Sequence, residues 1–143
     1  MNSKDLRNAV KSALYSADPA VAARWRLPNI KGNPVRPYAI LTFVRADRRL
    51  SGTISGTLAG GNEVQNERGQ FCVTAVVDPG VGEDGALDIV DAAESLLASG
   101  TRLSFTGGRL TILSADIQVG YPGKNEEDYR LPVFFEYSAS ALS

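Results

Sequence analysis

Between Arg68 and Leu103 the chain reads RGQFCVTAVVDPGVGEDGALDIVDAAESLLASGTRL, which spells a strand, a tight loop and a helix in succession. Phe71, Val73, Ala75 and Val77 alternate with Cys72, Thr74 and Val76, the period of two expected of a strand with distinct faces. Apolar residues fall on both faces, which predicts a central strand. Asp78-Pro79-Gly80 stops it, because proline has no N–H for a ladder and glycine frees the turn. Ala86, Ile89, Val90, Ala93, Leu96 and Leu97 then form one helical stripe, with Asp84, Asp88, Asp91 and Ser95 on the opposite face. Gly100 stands where a helix C-terminus takes a left-handed residue. A helix with one apolar stripe must lie on a sheet, and this strand supplies its middle.

The rest of the chain fits around that unit. Residues 4–17 carry a second stripe, Leu6, Val10, Ala13, Leu14 and Ala17, with Ser3 as the expected N-cap. Asp18-Pro19 ends this helix and opens a short turn through Ala20–Arg24, after which Trp25 is expected to anchor an irregular linker on the core. Tyr38–Val44 is a strand apolar on both faces, and Arg45–Arg49 reads as a charged turn or strand end. Leu50–Gly61 is rich in Gly, Ser and Thr, and its alternation predicts a thin arm of weakly specified register. Asn62–Glu67 is a polar approach to the central strand. Arg102–Phe105 and Arg109–Leu113 flank Thr106-Gly107-Gly108 as a hairpin, which Ser114–Val119 continues after a bulge or bend. Gly120–Asp128 is a polar loop. Tyr129–Tyr137 alternates as a last strand, placed near an edge or bulge by Pro132, and the SASALS tail is expected to be loose. The fold class is therefore α/β in the α+β sense: a mixed, mostly antiparallel sheet of about five or six strands, flanked by an N-terminal and a central helix. With 143 residues the chain is expected to be one domain, 1–143, with 50–62 as its flexible arm.

Composition excludes several chemistries. The chain has no histidine and one cysteine, so it can build no Ser-His-Asp triad, no Cys-His pair and no His or thiolate metal site of its own. Cys72 lies inside a strand pattern and is expected to be a buried hydrophobe. No apolar run reaches the roughly 18 residues of a membrane span, and MNSKDLRNAV lacks the apolar stretch of a secretory signal. Gly80–Gly85 matches G-x-G-x-x-G between a strand and a helix, the basis of an alternative reading as a small nucleotide-binding protein. Glu83 and Asp84, however, set negative charge where a pyrophosphate needs bare N–H groups, and no acid follows about 20 residues on. The acids are better placed to complement a helix dipole. No cofactor and no metal is expected.

Charge is divided along the chain. Residues 1–50 hold ten basic and three acidic residues, a balance of +7, and residues 51–143 balance at −8. Such asymmetry suits subunits that meet positive to negative, or a face for nucleic acid.

Several of these features occur in one order: the N-terminal helix, Trp25-x-x-Pro28-Asn29, Arg68-Gly69-Gln70-Phe71, Pro79–Gly82, the Ala-rich helix with GTRL behind it, and Tyr129-Arg130-x-Pro132-Val133. That order resembles the tail terminator family of long-tailed bacteriophages. Leu50–Asn62 departs from it, being longer than the family pattern. The resemblance implies a virion protein, not an enzyme, assembled in the host cytoplasm as a hexameric ring. Such a ring caps the tail tube, ends its polymerisation and offers a surface for head–tail joining; another neck or tail-completion adaptor is the alternative. The implied partners are copies of the chain, the tube protein, the head–tail connector and, non-specifically, DNA in the lumen; no membrane is involved. Joined to the charge pattern, it places subunit or tube contacts at Arg45, Arg48, Arg49, Ser51, Thr53, Ile54, Thr57 and Leu58. Lumen or partner contacts fall to Arg24, Arg26, Glu126 and Glu127.

Overall fold

A computed structural model describes residues 2–16, 25–26, 36–53, 63–80 and 82–142. In chain order these are α1 (Ser3–Tyr15), β1 (Trp25–Arg26), β2 (Tyr38–Thr53), β3 (Glu63–Val77), α2 (Gly82–Leu96), β4 (Arg102–Phe105), β5 (Gly108–Ile117), β6 (Tyr121–Pro122), a 3-10 turn (Lys124–Glu126) and β7 (Tyr129–Leu142). The strands form one seven-stranded sheet in the order β1-β2-β3-β7-β5-β4, with β6 paired to β7. Every pairing is antiparallel except the short β1–β2 contact, where Trp25 lies beside Ala39 and Arg26 beside Ile40. The α+β sheet expected from the alternation is present, and β3 is central as its two apolar faces required.

Both helices pack on one face of the sheet. Leu6, Val10 and Leu14 of α1 and Ala86, Ile89, Val90 and Ala93 of α2, with Leu97 just beyond, share one buried core with Phe71, Val73, Ala75, Leu131, Val133 and Phe135, α2 lying on β3 and β7 and α1 on β4. Fully burying a side chain of this size contributes roughly 1.5–3 kcal/mol, so these stripes hold the layers together. Asp84, Asp88, Asp91 and Ser95 face solvent, as the helical period places them. On the other face of the sheet Thr42 and Glu136 are exposed, while Cys72, Val76 and Pro132 are buried.

Several local expectations are corrected. Asn2, not Ser3, caps α1, its side-chain oxygen accepting from Lys4 N at 2.9 Å. Gly100 is left-handed (φ 91°), but it serves the turn after α2, where Thr101 N bonds to Ala98 O at 2.9 Å. Arg45–Arg49 does not turn. It continues β2, with Arg45 beside Gln70 and Arg49 beside Asn66, and Glu63–Glu67 belongs to β3. The tail is not loose either: Ser138–Leu142 completes β7, and Ala139 and Ala141 are buried. Pro132 sits in the interior of the sheet, beside Thr74. Its carbonyl accepts from Gln118 N at 2.9 Å, so its missing N–H faces the same side, where β5 has just ended at Ile117. Helix residue Ala17, the turn 18–24 and arm residues 54–62 lie outside the described residues.

The hairpin β4–β5 turns through Thr106 and Gly107, the latter at φ 81°, and the bulge expected after it falls between Ile112 and Ser114. β2 carries a bulge between Phe43 and Arg45, on the other side of the Gln70–Glu136 row, and a further irregularity between Leu50 and Gly52, while β3 and β7 pair without a break. Gly108 begins β5 where there is no room for a side chain: a Cβ there would stand 2.7 Å from Ala141 Cβ and press on the Ser140 carbonyl oxygen. Gly108→Ala should therefore cost about 1–3 kcal/mol, read as a lower urea midpoint; an unchanged midpoint would show that this corner has room to spare.

Candidate functional site

The most organised polar group lies on the helix face, just past the bulge in β2. Odd-numbered residues of β3 point to the core, and Glu67 keeps that phase, so its carboxylate is carried inward and is only 4% exposed. Burying a carboxylate is costly unless it is paired and fully hydrogen-bonded. Three elements meet that requirement. The Tyr137 hydroxyl, from β7, donates to Glu67 Oε2 at 2.7 Å. Arg48, from β2, donates to Oε1 through Nε at 3.2 Å and through a terminal nitrogen at 3.0 Å. That nitrogen also donates to Ser3 Oγ at 2.8 Å, at the start of α1. Because Asn2 takes the capping role, the Ser3 hydroxyl is free to accept. Beside this group Arg7 lies over the Phe43 ring, its guanidinium carbon 4.8 Å from the centroid. Burial pushes the Tyr137 hydroxyl pKa well above its ordinary value, and the bond to Glu67 and the Glu67 charge add to that. Tyr137 thus stays a neutral donor. The arrangement ties α1, β2, β3 and β7 together and commits its polar groups to one another.

A second cluster closes the opposite end of the sheet. Asp128, buried, receives Arg130 at 3.1 and 3.3 Å, and Arg36 bridges from it (4.0 Å) to Asp78 (2.8 Å) and to the Glu127 carbonyl (2.7 Å). The Asp128 hydrogen bonds raise the Arg130 pKa further. A Cβ on Gly123 would collide with the Asp128 carboxylate, so glycine is what lets the loop fold over it. Asn125 and Glu126 both adopt left-handed φ (58° and 57°), a conformation asparagine tolerates and glutamate rarely takes.

The residues expected to make contacts separate into two groups. Arg45, Arg48, Arg49, Ser51 and Thr53 share the far part of β2. Glu126 and Glu127 are exposed on the clasped loop before β7, at the other end of the sheet, and Arg26 lies toward that end, beside Ile40. At about 3.3 Å per residue, the nearest members, Arg45 in the row of Gln70 and Arg26 in the row of Thr74, stand roughly 13 Å apart along the sheet, and only the farthest are separated by the length of β3. Arg24, Ile54, Thr57 and Leu58 lie outside the described residues. The Glu67–Tyr137 pair was not anticipated, although the phase of the alternation held the signal: Glu67 and Tyr137 are both in register with the core positions of their strands.

Neither conventional chemistry finds support here. Cys72 is buried, and burial pushes its thiol pKa up by more than the Thr74 hydroxyl, 3.4 Å from its sulfur, pulls it down, the reverse of what activates a nucleophile. α2 begins at Gly82, so most of the Gly80–Gly85 motif is helix, with Glu83 and Asp84 exposed on its first turn. Among the described residues no three Asp, Glu or Cys side chains converge as a metal site, and no helix is long and apolar enough to cross a membrane. The Tyr137 environment has a measurable consequence. Its folded-state pKa is raised, so the stability it contributes is complete below the unfolded tyrosine value near 10 and is lost as pH rises above that. Wild-type stability should fall more steeply than that of Tyr137→Phe above about pH 10, by up to about 1.4 kcal/mol per pH unit. Parallel denaturation profiles for the two would exclude it.

No curated protein sequence matches the chain. Among solved structures, a chain described as from the virion of a native gene transfer agent (GTA) particle shares the fold, with a TM-score of 0.61 at 18% identity and 97% of each chain covered. A second solved chain has a TM-score of 0.59 at 22% identity, covering 97% of this chain and 96% of its own. Residues 5–137 match the family described as phage tail terminator protein, so nearly the whole chain is accounted for by one family. The protein belongs to the phage tail terminator family.

Proposed function

We propose that the protein is a non-enzymatic virion component whose copies close into a ring, six by family resemblance, on the end of the tail tube. The ring stops further addition of tube protein and offers its outer surface to the head–tail connector. It is assembled in the bacterial cytoplasm, and DNA passes through its lumen without sequence recognition. The match of residues 5–137 to the terminator family carries this reading. Two further features support it: the buried polar groups are spent on one another, and the charge is split between a basic N-terminal portion and an acidic remainder.

Within the ring, the basic stretch Arg45, Arg48 and Arg49, with Ser51, Thr53, Ile54, Thr57 and Leu58, is assigned to the neighbouring subunit or the tube. Arg24, Arg26, Glu126 and Glu127 are assigned to the lumen or to partners. Arg48 has a distinct part, since its guanidinium holds the far end of β2 to Glu67 and Ser3. Charge reversal there would disturb the subunit itself.

Light scattering coupled to size exclusion, with negative-stain imaging over a range of protein concentrations and with purified tail tubes, tests the reading. Rings with an open centre, alone or on tube ends, are expected; a monomer in both settings would remove it. Arg45→Glu with Arg49→Glu should weaken assembly and change its salt dependence, because attraction between charges across a contact is screened over about 10 Å at 0.1 M salt. Assembly unaltered by the pair would detach charge from the contact. Replacing 54–62 with a short glycine linker should leave the fold intact and abolish tube capping; a fully active shortened chain would free the arm from that role.

A further inference from the structure

The two sides of the sheet end in different ways. On one side β1 covers only Ala39 and Ile40, and among the described residues no strand lies along β2 from Leu41 to Thr53. On the other side β4 follows β5 only as far as Thr111. The turn after α2 satisfies the next residue, Gly100 N donating to Ile112 O and Ile112 N to Thr101 O, and Ser99 Oγ donates to the Leu113 carbonyl. Past that bulge, among the described residues, no strand lies outside Ser114–Ile117. Gln118 directs its N–H to Pro132 on β7, so by strand alternation the backbone groups of Ala115 and Ile117 face outward.

The side chains at this edge do not resemble a finished boundary. One row of the helix face runs Leu41, Val73, Val133, Ile117. The first three are buried, and Ile117 is 40% exposed. Leu113, Val119 (88% exposed) and Tyr121 extend the apolar strip along the same side. Val44, the extra residue of the β2 bulge, is exposed at the opposite open edge. Thus, of the six large hydrophobic residues exposed among the described residues, five flank one of the two open edges.

We propose that these edges are the two halves of one contact: β2 of one copy lies along the Ser114–Ile117 edge of the next and continues its sheet. This rests on the ring assembly above and names its interface. A second copy is the occupant for three reasons. Strand direction alternates from β2 through β3 and β7 to β5, so an incoming β2 arrives antiparallel to β5. Leu41–Arg45 and Ser114–Ile117 occupy the same rows of the sheet, so the apolar rows carry across from copy to copy. Opposite charges also meet along the seam: Arg45 of one copy falls in the row of Ser114 of the next, a diagonal step from Asp116. A contact between opposite edges is head-to-tail, the kind that repeats and closes into a ring.

The row alignment sets Thr42 of one copy beside Asp116 of the next, both exposed. Since Asp116 turns its backbone to β7, theirs is a non-hydrogen-bonded pair, the closer type, with side chains within reach of a disulfide. Thr42→Cys with Asp116→Cys, oxidised mildly, should give a ladder of linked multimers on a non-reducing gel, while each single variant stays monomeric; the buried Cys72 does not interfere. As a second measurement, Ala115→Pro removes one outward N–H and leaves the β7 ladder alone, and should weaken ring formation by roughly tenfold or more. Rings that form in light scattering without a ladder, and that tolerate Ala115→Pro, would overturn this contact and leave the ring reading standing. Absence of rings both in solution and on tubes would overturn both.

Discussion

Everything in this protein is attached to the pairing of β3 with β7. Fourteen residues of each strand run side by side from Val64 and Leu142 to Val77 and Tyr129 without a slip. At the middle of the ladder the rings of Phe71 and Phe135 stack at 5.0 Å, 14° from parallel, with Phe43 and Tyr137 tilted against Phe71. α2 lies across this pair, and the buried carboxylate and hydroxyl that face each other belong one to each strand. A one-residue slip would turn every core side chain of one strand to the wrong face. It would also separate Glu67 from Tyr137, so apolar phase and polar pairing enforce the same register.

The polar group past the bulge is better understood as a fastening than as a source of binding energy. A buried ion pair repays little more than its desolvation, and Arg48 remains partly in contact with solvent. What it does is select. Only one placement of β2 sets its guanidinium between Glu67 and Ser3, and only one placement of α1 brings Ser3 there. The far half of β2, Arg45–Thr53, holds three arginines and little apolar pattern to define its position, and this contact supplies the definition.

Where side chains alternate between core and water, the fold was legible: the α1 and α2 stripes, the centre of β3, the β4–β5 hairpin and the bulge behind it. It was less legible where another interaction replaced hydrophobic burial. Arg45–Arg49 looks like a turn because its charge density suits solvent, yet it lies at the side of the sheet and needs no second neighbour to remain extended. Ser138–Leu142 looks loose because its residues are small. They are small for lack of room, since Gly108 and Ala141 come within a methyl group of each other. Pro132 argued for an edge, and the sheet accommodates it because the neighbouring strand stops one residue earlier. Of the contact residues, the sequence marked the basic stretch by composition alone. The outward-facing backbone at Ala115 and Ile117 has no compositional sign, because it arises from where other strands end.

The bulges at Val44 and Leu113 border one row, Gln70–Glu136, from its two sides, one on each flank of an unbroken central pair. Each inserts an extra residue into an outer strand and bends it locally. Matched insertions on both flanks act as a crease across the sheet, dividing it into two panels that share the same two inner strands. α2 and the clasped loop go with the near panel; α1, the arginine-rich strand and the tight β4–β5 corner go with the far panel. A single chain thereby joins two differently furnished regions through two continuous inner strands, with no flexible joint between them.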